Sequence, residues 1–264
     1  MESSTILAFF VGFVLIALAF IKFIEPAYAI LFKKPLLVHF YLFPSKFSPE
    51  QKSFMLKEFP FYKRLSPRKQ RYFENRVKCF LKRHQFIGKD IEVTAGMKFL
   101  IAGTYVMLTF GFRNYLTGLL KTIVIYPDIY FSETNLTHHK GEFNPKMKTV
   151  AFSWQHFIEG HQSANDNVNL GLHEFAHVIH LHSIKSRDVN ASIFFDEFTS
   201  ITKLLKDENF TTSLIEKNYF RKYAFENQYE FLAVILEHFF ESPKDFENHF
   251  PDLFQKVKRM INHQ

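Results

Sequence analysis

Residues 170–182 read LGLHEFAHVIHLH, and most of what the chain can do depends on how this stretch is folded. Leu172, Phe175, Ala176, Val178 and Ile179 leave almost no polar face, so a helix here is buried on nearly every side. On that helix His173 and His177 are four apart and share a face. Two imidazole nitrogens so placed can hold one tetrahedral metal ion, and zinc takes such ligands at about 2.0–2.1 Å. Glu174, beside the first histidine, can take a proton from a water that the metal activates for attack on a carbonyl. This is the HExxH arrangement of a metallopeptidase. The competing structural account is a helix whose histidines make only core or surface hydrogen bonds. The apolar setting argues against it, because buried polar groups need partners.

A catalytic zinc needs a third protein ligand and one open position. An HExxHxxGxxH extension would need glycine at 180 and histidine at 183, where the chain has His180 and Ser183. His182 is one residue out of register, and His180 lies three after His177. A carboxylate from a later helix is the other solution. Residues 226–241, ENQYEFLAVILEHFFE, supply Glu226, Glu230, Glu237 and Glu241. Glu230 and Glu237 are seven apart on one face, with Leu232, Ile235 and Leu236 on the apolar side. Spacing alone leaves the ligand as Glu230 or Glu237.

At 264 residues, 47% hydrophobic and 22% charged, with 35 phenylalanines, the composition is that of a folded globular chain. Net charge is +7, but the basic residues are dispersed. The dense stretch from Lys63 to Lys82 spaces them like the wet face of a helix, so a nucleic-acid partner is not expected. Cys79 is the single cysteine, which excludes a disulfide-stapled secreted domain and favours a reducing compartment.

Ile6 to Ile21, ILAFFVGFVLIALAFI, is an uncharged run near the length of a bilayer span. Lys22 can extend to the headgroups. The alternative is a cleaved signal peptide using Ala27-Tyr28-Ala29, but the leading MESST carries no lysine or arginine. An anchor is the better reading. Lys22, Lys33 and Lys34 follow the run, and the positive-inside rule then puts the remainder in the cytoplasm. The expected organisation is an anchor over 1–30, a juxtamembrane linker with little regular structure over 31–50, and one catalytic domain over 51–264.

Within the domain, Ser66 caps a helix from Pro67 to His84 and residues 51–56 form another. Thr94 to Leu108 is an apolar core helix closed by Gly111, although a second span has similar composition. TIVIY at 122–126 and TVAFSW at 149–154 read as strands of one small sheet. The polar run from Ser132 to Lys148 reads as a loop, a candidate lid over the metal. The fold class expected is α+β, mainly helical.

Several blocks resemble the Mlc titration factor A family of zinc-dependent peptidases: FYKRLSPRKQRYF from Phe61, HQFIG at 84–88, IYP at 125–127, FSWQHF at 152–157, HEFAH, YAxxxxxEFLAVxxExFFxSP from Tyr223, and FPDLF at 250–254. The likeness spans roughly the last two hundred residues. It implies a zincin-like, gluzincin-type domain in which HExxH supplies two ligands and the base, and in which Glu230 is the third ligand. By the same resemblance Tyr223 would donate a hydrogen bond to the tetrahedral oxyanion, and Glu237 would support a ligating histidine. Where the family commonly has an acid three positions after the second histidine, this chain has His180. The activity implied is zinc-dependent hydrolysis of peptides or proteins, including at their N-termini. The alternative is a membrane-tethered regulatory protein that keeps the zinc fold and sequesters a partner such as a transcription regulator.

Overall fold

The computed structural model describes residues 2–132, 136–163 and 166–263. The chain starts with a long apolar helix made of α1 (Glu2–Ala19), a π-helical turn (Phe20–Ile24) and α2 (Glu25–Phe32). Over Ser4–Phe32 it is long and apolar enough to cross a membrane, a test that a leader sequence also passes. Lys33, in the left-handed conformation, ends it. α2 is not free of the domain. Its Glu25 and Ala29 are buried, Glu25 forms an ion pair with Arg113, and Lys33 lies 3.7 Å from Asp196.

Residues 33–48 contain no helix or strand, yet they are packed. Arg76 is the reason. Although it sits in the basic stretch expected to face water, it is fully buried. Its guanidinium donates to the carbonyls of Val38, Thr109, Phe110 and Phe112 and to the Tyr41 hydroxyl, at 2.6–3.2 Å. A buried charge persists only when its hydrogen-bonding capacity is satisfied, and five acceptors do so here. Helical spacing could not single out Arg76, because its partners lie more than thirty residues away.

Four helices and a strand come next: α3 (Pro49–Glu58), α4 (Pro60–Arg64), α5 (Pro67–Arg83), β1 (Gln85–Gly88) and α6 (Ala95–Leu108). Ser48, Ser66 and Thr94 cap α3, α5 and α6 through side-chain oxygens. α6 is a core helix. Ile101, Ala102, Tyr105 and Val106 are inaccessible, and Thr109 rather than Gly111 closes it. Gly111 serves packing: a Cβ there would lie 2.2 Å from the Ile261 carbonyl oxygen.

The strands are β2 (Thr122–Tyr126), β3 (Tyr130–Ser132), β4 (Thr137–His139), β5 (Gly141–Asn144) and β6 (Thr149–Ser153). β1, β2, β6 and β5 form one sheet in that order, with β1, β2 and β6 parallel and β5 antiparallel to β6. β3 and β4 pair separately. The two expected strands are therefore neighbours, while the region read as a loop from Ser132 to Lys148 contributes β4 and β5. Residues 133–135 of that region lie outside the described residues. β4 is short and largely exposed, and β5 is a short, half-buried edge strand, so neither carries a run of alternating apolar residues.

The remaining helices are α7 (Trp154–Gln162), α8 (Leu170–Lys185), α9 (Val189–Leu204), α10 (Glu208–Glu216), α11 (Gln228–Glu241), α12 (Pro243–His249) and α13 (Pro251–Met260). α8 packs against α6, α7, α9, α11 and the β5–β6 edge. That central position explains a helix with hardly any polar face. Phe175 of α8 is fully buried, with the buried rings of Phe80 and Phe152 edge-on to it, each contributing roughly 1.5–3 kcal/mol through burial.

Candidate metal centre

Two caps set the register of the site. Asn169 accepts from the Leu172 N–H at 3.0 Å and starts α8 one turn before His173. Asn227 accepts from the Tyr229 and Glu230 N–H groups at 2.9 and 3.1 Å, placing Glu230 in the first turn of α11. Because α8 and α11 pack together, the side chains converge. His173 Nε2 is 2.9 Å from Glu230 Oε2, and His177 Nε2 is 3.7 Å from Glu230 Oε1. The ligand atoms of His173, His177 and Glu230 lie within 4.8 Å of one another, a His/His/Glu set able to hold a metal ion.

Glu230 Oε2 is buried yet makes no aligned hydrogen bond, despite the short approach of His173. Such an orphaned oxygen fits a cation better than an N–H donor. The second ring nitrogen of His173 has a different task. Nδ1 is 3.0 Å from Glu237 Oε1, and Glu237 is nearly inaccessible. Arg221 pairs with that carboxylate and donates to the Asn167 carbonyl at 2.5 Å. With Nδ1 held by Glu237, Nε2 is the ring atom that faces Glu230 and His177, and it is the nitrogen a metal would take in place of a proton.

A family model described as glucose-regulated metallo-peptidase M90 matches residues 41–261. The chain belongs to this family. It is the family that the blocks quoted above resemble, that of Mlc titration factor A. An uncharacterized Synechocystis protein, slr2042, is 26% identical over 243 residues, covering 83% of this chain and 85% of its own. Membership in a metallopeptidase family implies a metal ion, and the His/His/Glu set is where this M90 chain can hold one.

The electrostatics around the set are graded. Burial opposes charge on His173, but the Glu230 and Glu237 carboxylates outweigh it and pull its pKa up to about 10. Burial also works against charge on Glu230, yet the two imidazoles and the Tyr223 hydroxyl hold it below the usual range. His177 goes the other way, down to about 4, through burial and the neighbouring His173. Glu174 is pushed up to about 7, chiefly by burial, with Glu230 and Glu142 adding to the effect. Gly141 of β5 lies directly against it: a Cβ there would be 2.9 Å from Glu174 Oε1 and 2.7 Å from Leu170.

Tyr223, in a 3-10 turn ahead of α11, has its ring 5.7 Å from that of His173 and lies beside the Glu230 carboxylate. Burial and that carboxylate raise its pKa, so the hydroxyl stays protonated at neutral pH. A cavity of about 500 Å³ opens beside His173 and Glu174, bordered by His138, His139, His156, Glu159, Asp166 and Arg221.

The other sequence candidates lie elsewhere. His180 is wedged between the Phe198 and Tyr229 rings at 4.3 and 4.9 Å. His182 contacts Asp188 and Thr117. Glu226 is exposed, and Glu241 accepts from Asn169. Arg221 and Gly141 were missed by sequence reasoning. Nothing in their spacing points to Glu237 or Glu174; Phe152, which opens the FSWQHF block and sits opposite Gly141 in the β5–β6 ladder, is the nearest signal for Gly141.

Proposed function

We propose that this M90 protein is a zinc-dependent peptidase, built as a zincin-like domain and held at the cytoplasmic face of a membrane by its N-terminal helix. The observation that carries the reading is the convergence of His173, His177 and Glu230 from two separate helices. Nitrogen and carboxylate donors in a three-ligand set leaving one position open suit zinc. Held there, zinc would lower the pKa of a water and polarise a carbonyl oxygen.

The protein's own groups supply the rest. Glu174 accepts the proton of the attacking water and returns it to the departing amine nitrogen. Burial favours its protonated form, which suits a group that has to hold the proton before returning it. Tyr223 donates its O–H to the oxyanion that develops on the carbonyl. Glu237, steadied by Arg221, fixes the His173 ring. β5 ends its sheet, and no described strand covers its outer edge. An extended peptide pairing there would pass beside Gly141 and hence beside Glu174. The substrate is therefore read as a peptide or an unfolded segment of a protein. The lone cysteine and the lysines that follow the apolar helix support the cytoplasmic placement.

The test compares the full chain with Glu174→Gln. Both should hold about one zinc per chain, and only the unaltered chain should cleave peptides, with activity lost to a chelator and restored by zinc. A purified protein without stoichiometric metal, or a Glu174→Gln protein that cleaves at the original rate, overturns the reading.

A further inference from the structure

We propose that the segment Leu37–Phe43 is a second membrane contact, which lays the catalytic domain onto an anionic bilayer surface beside the point where the N-terminal helix leaves it. The inference rests on the reading that this helix stays in a membrane. It adds a fixed orientation of the domain.

The segment is pinned from inside. Arg76 holds the Val38 carbonyl and the Tyr41 hydroxyl, and the His39 ring stacks on Tyr72 at 4.7 Å. Further along, the Ser45 and Phe47 N–H groups donate to Asn75 and Glu74 of α5 at 2.9 and 3.0 Å. With Val38, His39 and Tyr41 turned inward, the intervening side chains point out. Phe40 is 75% exposed, Leu42 77% and Phe43 94%, and Leu37 is exposed as well. Isolated exposed apolar residues are ordinary on a soluble surface. Four within seven positions, on a segment that cannot collapse over them, form a continuous apolar face that water solvates poorly.

Its position identifies what covers it. Arg113 donates from Nε to the Leu37 carbonyl at 2.9 Å, while the same guanidinium pairs with Glu25 in the first turn of α2. Leu37 is thus one arginine head group from the apolar helix. Ile24, Ile30, Leu31 and Phe32 near the end of that helix are exposed as well. Cations surround the segment: Lys34 and Lys46 in the chain itself, and Arg68 and Arg71, which share a surface groove with Tyr41 and Pro44. Apolar side chains bordered by exposed cations are what an interface of anionic headgroups over hydrocarbon accommodates. The occupant we assign is that interface.

The experiment uses the full chain in a C79A background, reconstituted in vesicles of phosphatidylcholine with phosphatidylglycerol. A single nitroxide is placed at F13C, F40C, F43C or I215C. Relaxation by oxygen and by a water-soluble nickel complex reads the depth of each label. Labels 40 and 43 should be shielded from nickel several-fold relative to 215 and reached by oxygen, with 13 deeper still. Omitting phosphatidylglycerol should return 40 and 43 several-fold toward water while leaving 13 in place. The proposal falls if 40 and 43 are as open to nickel as 215 while 13 is deep. It falls equally if they are shielded from both reagents, which would mean a protein partner, or if their depth ignores phosphatidylglycerol. If 13 lies in water, the span itself is wrong; 40 and 43 then uphold the surface contact if immersed and end it if not.

Discussion

α8 and α11 both bring charge into the core, and they do so by different rules. In α8 His173, Glu174 and His177 are neighbours because one helical turn makes them so. In α11 the two carboxylates are two turns apart and do unlike work. Glu230, in the capped first turn, faces both imidazoles, while Glu237 lies underneath His173 and holds the ring by its other nitrogen. One helix carries its half of the site locally. The other acquires its half by docking, and each of its acids is defined by the atom of α8 it meets.

That asymmetry can be broken at Glu230 first. Glu230→Ala should remove stoichiometric metal and reduce peptide cleavage to background, while Glu226→Ala, at an exposed position just before α11, should leave both intact; elemental analysis and a peptide assay decide. Glu237→Gln should keep the fold but lower metal affinity or turnover about 10- to 100-fold, the usual consequence of removing the carboxylate behind a ligating histidine. A titration with a competing chelator reads this, and equal losses from Glu230→Ala and Glu237→Gln would erase the distinction between the two acids.

Gly141→Ala tests the third wall of the site. Its Cβ would press first on Leu170 and Glu174, not on His173, His177 or Glu230. Turnover should drop about tenfold, or ~1.4 kcal/mol in the barrier, with metal content unchanged.

The smallest effect separates the helices by pH. His180 on α8 and His238 on α11 are buried and both held down to about 4, chiefly by burial. An unfolded chain takes up these protons near 6.5, and the folded chain refuses them until about 4. Stability is therefore complete above 6.5 and lost as pH falls through that window. Glu241, raised to about 7 by burial, opposes this: its cost to the folded state grows as pH rises from about 4.5 to 7. Thermal melts of His180→Phe and His238→Phe should each lose part of the acid-side decline. Curves that match the unaltered protein would show that neither imidazole is the source.

Legibility in the sequence followed the same division. The helix from Pro67, the TIVIY strand and the core helix up to Leu108 were readable because propensity, capping and periodicity act over a few residues. β5 was read as part of a loop because a short, half-buried edge strand has no apolar alternation to show. Arg76 counts with the wet face of its helix by spacing although five acceptors enclose it, and the linker expected over 31–50 has no helix or strand between residues 33 and 48 but is fixed in place there by α5. For the downstream ligand, spacing left two acids open, and only the likeness to the M90 family chose between them.

Taken alone, the sequence determined the local half of the site: an apolar helix with His173, Glu174 and His177 on it, preceded by a run of residues fit for a membrane. Backbone hydrogen bonds fix neighbours four apart whatever the rest of the chain does. Only the tertiary structure decided that Glu237 lies behind His173, that Arg221 steadies Glu237, and that Phe40, Leu42 and Phe43 are turned outward. Those placements arise from packing between segments far apart in the chain, where no local periodicity carries the information.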